Sequence, residues 1–399
     1  MNTSKRPCPA CSSKAKRNLY RQSFTGLSAG TFLRGYDVCS CEQCGFLYAD
    51  NLPPAAAFDQ YYAEMSKWEF LDNGGKESPQ DHERFSVIAE AATKFMPDRN
   101  GRILDVGCAT GGMLGALKRQ GYQQLLGLDP SPQCARLALK NYGITVHTGA
   151  VKAIPDLLPG FDLITILGVL EHLVDPQQTL RDIRAALSPQ GLLYISVPDA
   201  SRFARYMDSP YQQFSIEHIM YFTPGSLETM LRAAGFEQLS VREMDSLYTK
   251  TYNYPAVDAI FRPAPITAGK YDAEGNRNIA NYLHDSAELD QAMDDRIRQL
   301  VETQEPILVW GVGTMTQRLM EKTQLPKARI VAFIDSNPHY HGKNLKGIPV
   351  INPADVPQHS ETILISSLIF ESEIREQIRT RLGCVNPIVT LRPTAAYVE

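Results

Sequence analysis

The sequence of 399 residues contains no run of about 18 apolar residues, so no segment is predicted to span a membrane. It also lacks a long basic run and carries a formal net charge of −4, whereas a nucleic-acid partner normally leaves a positive footprint. The first residues lack the apolar core of a secretory signal. We therefore expect a cytoplasmic protein that acts on a small molecule, with neither a nucleic acid nor a membrane as partner.

The length exceeds what one ordinary hydrophobic core accommodates, which predicts two or three domains. The residue pattern divides the chain into a Cys-rich, zinc-binding region (1–55), a central α/β domain (56–250), a helical connecting segment (251–303) and a smaller C-terminal α/β domain (304–399). Within the connecting segment, a helix is predicted at 287–303.

Apolar, strand-like runs and amphipathic helices alternate in the central domain, which predicts a parallel sheet covered on both faces. Its predicted strands are 102–106, 124–128, 162–167, 192–197 and 239–244, and its predicted helices are 112–119, 134–141 and 176–186. The alternation restarts after residue 306, with strands at 307–310, 330–334 and 362–366 and helices at 317–322 and 371–382.

Five of the eight cysteines fall in the first 44 residues, and four of them form two C-x-x-C pairs. Two such pairs present four thiolates to one tetrahedral zinc ion, with no coordination position left open. We predict a structural zinc held by Cys8, Cys11, Cys41 and Cys44. Cys39 would form a poorer C-x-C pair with Cys41, so it is not assigned as a ligand.

The central domain carries a glycine-rich loop at 107–112, directly after a predicted strand and before a predicted helix. Glycines let the backbone turn tightly and approach a ligand, beside a helix N-terminus. Asp129 ends the next strand, where a carboxylate can accept hydrogen bonds from a ribose. Asp105 precedes the loop and would repel a pyrophosphate, but it suits the ammonium and sulfonium charges of S-adenosylmethionine.

A second copy of this unit occurs in the C-terminal domain, where Gly311, Gly313 and Asp335 repeat the order of loop and acid. Val309 stands where the first copy has Asp105, so we expect no second methyl-donor site. An NAD-dependent enzyme is a weaker interpretation, because this loop lacks the third glycine of the dinucleotide motif.

These motifs resemble the class I S-adenosylmethionine-dependent methyltransferases over residues 85–245, together with the Glu171-His172 run and the strand that ends at Pro198. The resemblance implies a Rossmann-like fold. It implies that residues 105–111 hold the amino-acid part of the donor, that Asp129 holds its ribose, and that residues 167–170 lie against it. The implied cofactor-binding residues are Asp105, Gly107, Cys108, Ala109, Gly111, Asp129, Leu167 and Leu170.

The order of regions resembles a narrower family, the sugar C-methyltransferases that act on nucleotide-linked deoxysugars and contain zinc. In that family a Tyr-x-Glu-His motif supplies the base. Glu217 and His218 match it, but Ser215 replaces the tyrosine. The resemblance implies His218 as general base with Glu217 beside it, Tyr62 as a further catalytic residue, and a C-terminal domain that closes over a nucleotide.

Several alternatives stay open at this point. His218 could be a buried structural histidine, and Glu171-His172 could support the donor loop without acting in catalysis. The acceptor could be a hydroxyl on another small molecule or a glycan, which would make the protein an O-methyltransferase. The whole chain could instead be a non-catalytic zinc-ribbon interaction protein. The residues decide neither the methylated atom nor the oligomeric state.

Overall fold

The computed structural model describes residues 5–27, 33–64, 74–96, 98–247 and 252–392. Strands in this part of the chain form three sheets, of four, seven and six strands. In the described residues, no helix combines the length and the apolar composition needed to cross a membrane.

The four-stranded sheet joins the Cys-rich region to the central domain. Its order is β1 (Lys16–Ser23), β2 (Gly35–Cys41), β3 (Leu47–Asp50) and β9 (Met220–Tyr221), and each neighbouring pair is antiparallel. The last strand comes from the central domain, where Leu47 pairs with Tyr221 and Tyr48 with Met220. Buried residues of the Cys-rich region and of the central sheet form one hydrophobic cluster. The two regions therefore share a core.

The seven-stranded sheet contains β4 (Ile103–Val106), β5 (Leu125–Asp129), β6 (Thr145–Thr148), β7 (Phe161–Leu167), β8 (Leu187–Pro198), β10 (Phe236–Leu247) and β11 (Asn253–Pro263). Its order is β10-β11-β8-β7-β4-β5-β6, and β11 is antiparallel to both of its neighbours. The five predicted strands are confirmed. The strand order reverses between β4 and β7, which is where open α/β sheets form a ligand crevice at the carboxyl ends of their strands.

Local sequence fixes where the helices of this domain begin. The helices are α1 (Ala55–Glu64), α2 (Pro79–Ala92), α3 (Gly112–Arg119), α4 (Pro132–Tyr142), α5 (Pro176–Ala186) and α6 (Pro224–Ala233). Four of them start with a proline preceded by a Ser, Thr or Asp whose side chain accepts a backbone N–H. Such a residue satisfies an otherwise unpaired donor, and proline suits the first helical position. The three predicted helices of this domain are confirmed.

The segment predicted as a helical connection, 251–303, differs from that prediction. Strand β11 lies in it and completes the central sheet, since its buried Val257, Ala259 and Phe261 alternate toward the core. Helix α7 (Ala273–Thr303) starts 14 residues earlier than the predicted 287. Gly275 lies in the first helical turn. A Cβ there would approach the Asp272 carboxylate to 2.3 Å, so close packing requires the glycine.

The six-stranded C-terminal sheet has the order β14-β15-β13-β12-β16-β17. Its strands are β12 (Ile307–Trp310), β13 (Ile330–Ile334), β14 (Asn344–Leu345), β15 (Ile348–Ile351), β16 (Thr362–Ile365) and β17 (Ile388–Thr390), accompanied by α8 (Thr314–Lys322) and α9 (Glu371–Glu376). All neighbours are parallel except β14 and β15. The three strands predicted after residue 306 correspond to β12, β13 and β16.

Helix α7 connects the Cys-rich region to the C-terminal domain. At its start, the Asp272 N–H donates to the carbonyl of Cys44 at 3.0 Å. Further along, Asp290 accepts two hydrogen bonds from the buried guanidinium of Arg318 at 2.7 and 2.6 Å. The regions at the two ends of the chain therefore contact the same helix.

Candidate functional site

The glycine loop after β4 adopts a left-handed backbone at three positions: Gly107 (φ +73°), Ala109 (φ +45°) and Gly111 (φ +85°). A Cβ at Gly107 would lie 2.3 Å from Val169, so only glycine fits there. Ala109 holds its conformation despite its methyl group, which costs about 1–2 kcal/mol. These left-handed positions let the loop turn tightly between β4 and α3.

Asp129, at the end of β5, stabilises this loop by a hydrogen bond. Its two carboxylate oxygens accept the N–H groups of Ala109 and Ser131, each at 2.9 Å. The C-terminal domain repeats the arrangement, since Asp335 accepts from Val312 at 2.9 Å and from Asn337 at 2.8 Å. The predicted duplication of loop and acid therefore extends to the hydrogen bonds.

Asp105 lies at the level of the sheet, behind the loop. It is buried, and the Thr165 hydroxyl donates to its carboxylate at 2.6 Å. Burial raises the pKa of Asp105 from 3.8 to about 7, because a charge is poorly solvated there. Its predicted contact with the donor's amino group stays a prediction.

A cavity of about 210 Å³ opens at the carboxyl ends of the central strands. One part of its wall comes from the loops after four neighbouring strands: Val106, Gly107, Ala109, Leu128, Asp129, Pro130, Gly149, Ala150, Val151, Gly168 and Val169. The rest comes from Asp59, Tyr62, His172, Leu173 and Glu217. A single space therefore joins the glycine loop to a group of polar side chains.

The structure brings five of the residues predicted for the site onto this wall: Tyr62, Gly107, Ala109, Asp129 and Glu217. The other predicted site residues outside the cysteine cluster are described but lie off the lining: Asp105, Cys108, Gly111, Leu167, Leu170 and His218. His172 is the main residue that the assignment missed. The sequence feature that could have identified it is the Glu171-His172 pair in the turn that follows β7.

The polar part of the wall is a network centred on His172. Its Nδ1 lies 3.0 Å from the carbonyl of Glu217 and 3.1 Å from the hydroxyl of Tyr62. A carbonyl can only accept, so Nδ1 donates to it when it carries the proton; without that proton, Nδ1 accepts the Tyr62 hydroxyl instead. The ring of His218 packs edge-on against that of His172, with centroids 4.9 Å apart.

Two carboxylates accompany these imidazoles. Oε1 of the buried Glu171 lies 4.0 Å from Nε2 of His172, close enough to stabilise a positive imidazolium. Oε1 of Glu217 accepts the Tyr61 hydroxyl at 3.0 Å. Burial raises the pKa of the Tyr62 hydroxyl well above its usual value, so this group stays protonated. The arrangement can accept a proton from a bound molecule.

Ser215 stands where the sugar C-methyltransferase motif has its tyrosine, and it stabilises the backbone that follows it. Its hydroxyl oxygen accepts the N–H groups of Glu217 at 3.2 Å and His218 at 3.0 Å. It therefore fixes the backbone that carries the predicted base, as hydroxyl side chains do in tight turns.

The four predicted zinc ligands converge. Sγ of Cys8 lies 3.6 Å from that of Cys44, Sγ of Cys11 lies 3.5 Å from that of Cys41, and all four sulfurs are within 4.8 Å of one another. A tetrahedral ion with Zn–S bonds of about 2.3 Å separates its sulfurs by about 3.8 Å, so the cluster fits zinc. Cys39 contacts Asn18 at 3.2 Å and lies outside the cluster.

Comparison with known proteins identifies two segments of the chain. Residues 80–241 match the family model described as "Methyltransferase domain", and residues 303–386 match "C2185-like, N-terminal". The first segment contains the glycine loop, Asp129 and the strands that carry the cavity. It is a methyltransferase domain. Its sheet and loop are those of the class I S-adenosylmethionine-dependent fold, so the fold expected from the resemblance is confirmed for this domain.

Similar proteins cover only part of the chain. A tRNA U34 carboxymethyltransferase of Saccharophagus degradans is 27% identical over 201 residues, which is 43% of this chain and 61% of that protein. A ubiquinone biosynthesis O-methyltransferase of Xanthomonas euvesicatoria pv. vesicatoria is 28% identical, over 47% of this chain and 82% of that protein. Among solved structures, the [4+2]-cyclase SpnF is 18% identical, covers 54% of this chain and 98% of its own, and has a TM-score of 0.42. The chain thus spans less than two thirds of the tRNA-modifying relative.

Proposed function

We propose that this protein transfers a methyl group from S-adenosylmethionine to an oxygen or carbon atom of a small molecule. One observation carries the proposal: a single cavity joins the glycine loop of a methyltransferase domain to the network around His172. When bound, S-adenosylmethionine supplies an electrophilic methyl group. The residues of the chain bind the two reactants and accept a proton.

The donor half of the cavity fits the donor's polar parts. Gly107 and Ala109 line the cavity, and the Asp129 carboxylate lies beside them, 2.9 Å from the Ala109 N–H. Asp129 lines the cavity beside the loop, and a carboxylate oxygen accepts hydroxyl groups, so Asp129 is the residue that we assign to the donor's ribose. The roles of Asp105, Cys108, Gly111, Leu167 and Leu170 remain as the resemblance implies.

The acceptor half offers an acid–base pair of imidazoles. His218 is the base implied by the family motif, and His172 is the imidazole that faces the cavity. Removing a proton from a hydroxyl or from a carbon beside a ketone makes the acceptor electron-rich, and imidazole suits this near neutral pH. Glu171, 4.0 Å from His172, stabilises the cation that forms.

For the acceptor, we propose a nucleotide-linked keto deoxysugar as the first class to test. Support comes from the order of the regions and from Glu217 and His218. The relatives named above point elsewhere, to a tRNA and to ubiquinone precursors. The net charge of −4 disfavours the tRNA, because binding of a polyanion relies on positive charge. We further propose that the four-cysteine cluster holds a structural zinc ion.

The test has two stages. Calorimetry with S-adenosylhomocysteine asks whether the chain binds the donor's scaffold, and a chain that binds neither this product nor S-adenosylmethionine would overturn the proposal. Donor with a deuterated methyl group is then incubated with nucleotide sugars, ubiquinone precursors and tRNA. Mass spectrometry identifies the labelled product. Label in tRNA alone would replace the small-molecule acceptor with a nucleic acid.

A further inference from the structure

The segment that carries Glu217 and His218 is held by regions outside the methyltransferase domain. From β1, the Gln22 amide donates to the carbonyl of Phe214 at 2.8 Å, a buried bond. From β2, the Tyr36 hydroxyl donates to the carbonyl of Ser215 at 2.7 Å. Both donors belong to the Cys-rich region, about 180–190 positions away in the chain.

Tyr36 has no accessible surface. Its hydroxyl bonds directly to Ser215 and is linked to His218 through the hydroxyl of Tyr221. The Tyr221 hydroxyl lies 3.2 Å from that of Tyr36 and 3.1 Å from the carbonyl of His218. Ser215 holds the intervening turn through the N–H groups of Glu217 and His218. The position of the His218 backbone is therefore tied to Tyr36.

The C-terminal domain and α7 hold the same segment from other sides. Thr314, the first residue of α8, follows the second glycine loop, and its hydroxyl oxygen accepts the N–H of Ile216 at 3.4 Å. On α7, the Tyr282 hydroxyl accepts the N–H of Gln213 at 2.9 Å. Six backbone groups between 213 and 218 are thus bonded by side chains of the two terminal regions, of α7 and of Ser215.

The Cys-rich region is itself anchored beside this segment. Arg6, two positions before Cys8, is half-buried and donates to the carbonyls of Ala49, Val174 and Ile219 at 2.9–3.1 Å. Two of these acceptors belong to the methyltransferase domain, and Ile219 directly follows His218. The fold of the Cys-rich region therefore helps to fix the backbone beside His218, the predicted base.

We infer that Tyr36 and Thr314 are positioning residues: the Cys-rich region and the C-terminal domain contribute to methyl transfer by fixing the backbone of residues 215–218. This inference rests on the proposed function. It requires that loss of either hydroxyl disturbs the imidazoles and methyl transfer, while donor binding is unchanged. Neither Tyr36 nor Thr314 lines the cavity.

Matched variants separate positioning from ordinary destabilisation. Tyr36→Phe removes one hydroxyl and keeps the ring. Tyr122→Phe is its control, because the fully buried Tyr122 also donates one 2.7 Å bond to a carbonyl, that of Met96, away from the cavity. Thr314→Val removes the second hydroxyl, and Thr314→Ser keeps it.

The first readout does not need an acceptor. Histidines are labelled with ¹³C, and the resonances of His172 and His218 are assigned with a glutamine variant of each. We expect Tyr36→Phe and Thr314→Val to displace the His218 resonance and alter its titration, whereas Tyr122→Phe and Thr314→Ser leave both as in wild type. Affinity for S-adenosylhomocysteine should stay within about twofold in all four variants, which corresponds to about 0.4 kcal/mol.

With the acceptor from the labelling experiment, kcat should fall about 10- to 100-fold in Tyr36→Phe and Thr314→Val, because small misplacements of reacting groups have effects of this size. Unperturbed His218 resonances in both variants would overturn the inference, as would equal kcat losses in Tyr36→Phe and Tyr122→Phe. If the wild-type chain binds no donor, the proposed function is refuted. The His218 resonances of the variants would still test whether Tyr36 and Thr314 fix the backbone of residues 215–218.

Discussion

Asp129 and Asp335 allow the donor site to be tested against an internal control. Asp129 ends the second strand of its α/β unit and Asp335 directly follows that of the other, and each accepts two backbone N–H groups at 2.8–2.9 Å, one of them from the glycine loop. Only Asp129 lines the cavity. Replacing each aspartate with asparagine therefore causes the same local damage in both domains but removes a predicted ligand contact in only one.

The loss of stability follows from the hydrogen bonds. Asparagine has nearly the size of aspartate, but it offers one acceptor oxygen and turns an amide N–H toward the other backbone donor. One hydrogen bond to a charged group is lost, which typically costs about 1.5–3 kcal/mol. Asp129→Asn and Asp335→Asn should therefore lower the free energy of unfolding by similar amounts, within this range.

The effect on donor binding should differ between the two. In Asp129→Asn a charged acceptor for the donor's ribose is lost, and a further 1.5–3 kcal/mol, roughly a 10- to 100-fold loss of affinity, is expected. Asp335→Asn should bind the donor as the wild type does, since Val309 stands where the first unit has Asp105.

Calorimetric titration with S-adenosylhomocysteine measures the affinity without turnover, and chemical denaturation measures the stability of the same preparations. Equal donor affinity in Asp129→Asn and Asp335→Asn, with both proteins folded, would refute the assignment of Asp129 to the ribose. Weaker binding in Asp335→Asn alone would indicate that the donor binds at the second glycine loop.

Three further predictions concern Asp105, the zinc cluster and the imidazoles. The pKa of Asp105 is raised from 3.8 to about 7, so its contribution to stability is present below about pH 4 and is lost as the pH rises to about 7, by up to about 1.4 kcal/mol per pH unit. Asp105→Asn should flatten this part of the profile of unfolding free energy against pH, and an unchanged profile would contradict the shift. Elemental analysis should find one zinc per chain, lost in Cys41→Ser and retained in Cys39→Ser; zinc loss in the latter would reassign the ligands. His218→Gln should lower turnover about 10²- to 10⁴-fold at unchanged donor affinity. If His172→Gln shows this loss and His218→Gln does not, the imidazole that faces the cavity is the base.

The donor half of the site could be predicted because its determinants are local in sequence. The glycine loop follows β4 directly, and Asp129 ends β5, so strand–loop–helix periodicity places both at one edge of the sheet. The sequence could not show that Asp105 lies behind the wall. Side chains alternate across a strand, and the bond to Thr165 that holds Asp105 in the interior depends on the pairing of β4 with β7.

The acceptor half could be predicted only in part, because it is assembled from distant segments. Tyr62, His172 and Glu217 come from α1, the turn after β7 and the segment before β9, separated by 110 and 45 positions. No periodic pattern links such positions. The resemblance named Tyr62 and Glu217 among the three, whereas the Glu171-His172 pair alone did not show that His172 contacts the Glu217 carbonyl.

The shared core bears on the alternative in which the N-terminal region is an independent zinc-ribbon module. Such a module would need its own core, but Cys8, Cys41 and Phe46 belong to the same buried cluster as strands β4 and β7. Its last strand pairs with β9, and Arg6 bonds to Val174 and Ile219 of the methyltransferase domain. Removing the zinc should therefore unfold more than the first 55 residues, since the exposed strand and the freed guanidinium would leave buried carbonyls of the methyltransferase domain without donors. These contacts make the cysteine cluster part of the framework that holds residues 215–218, and they argue against a scaffold with a separable recognition unit.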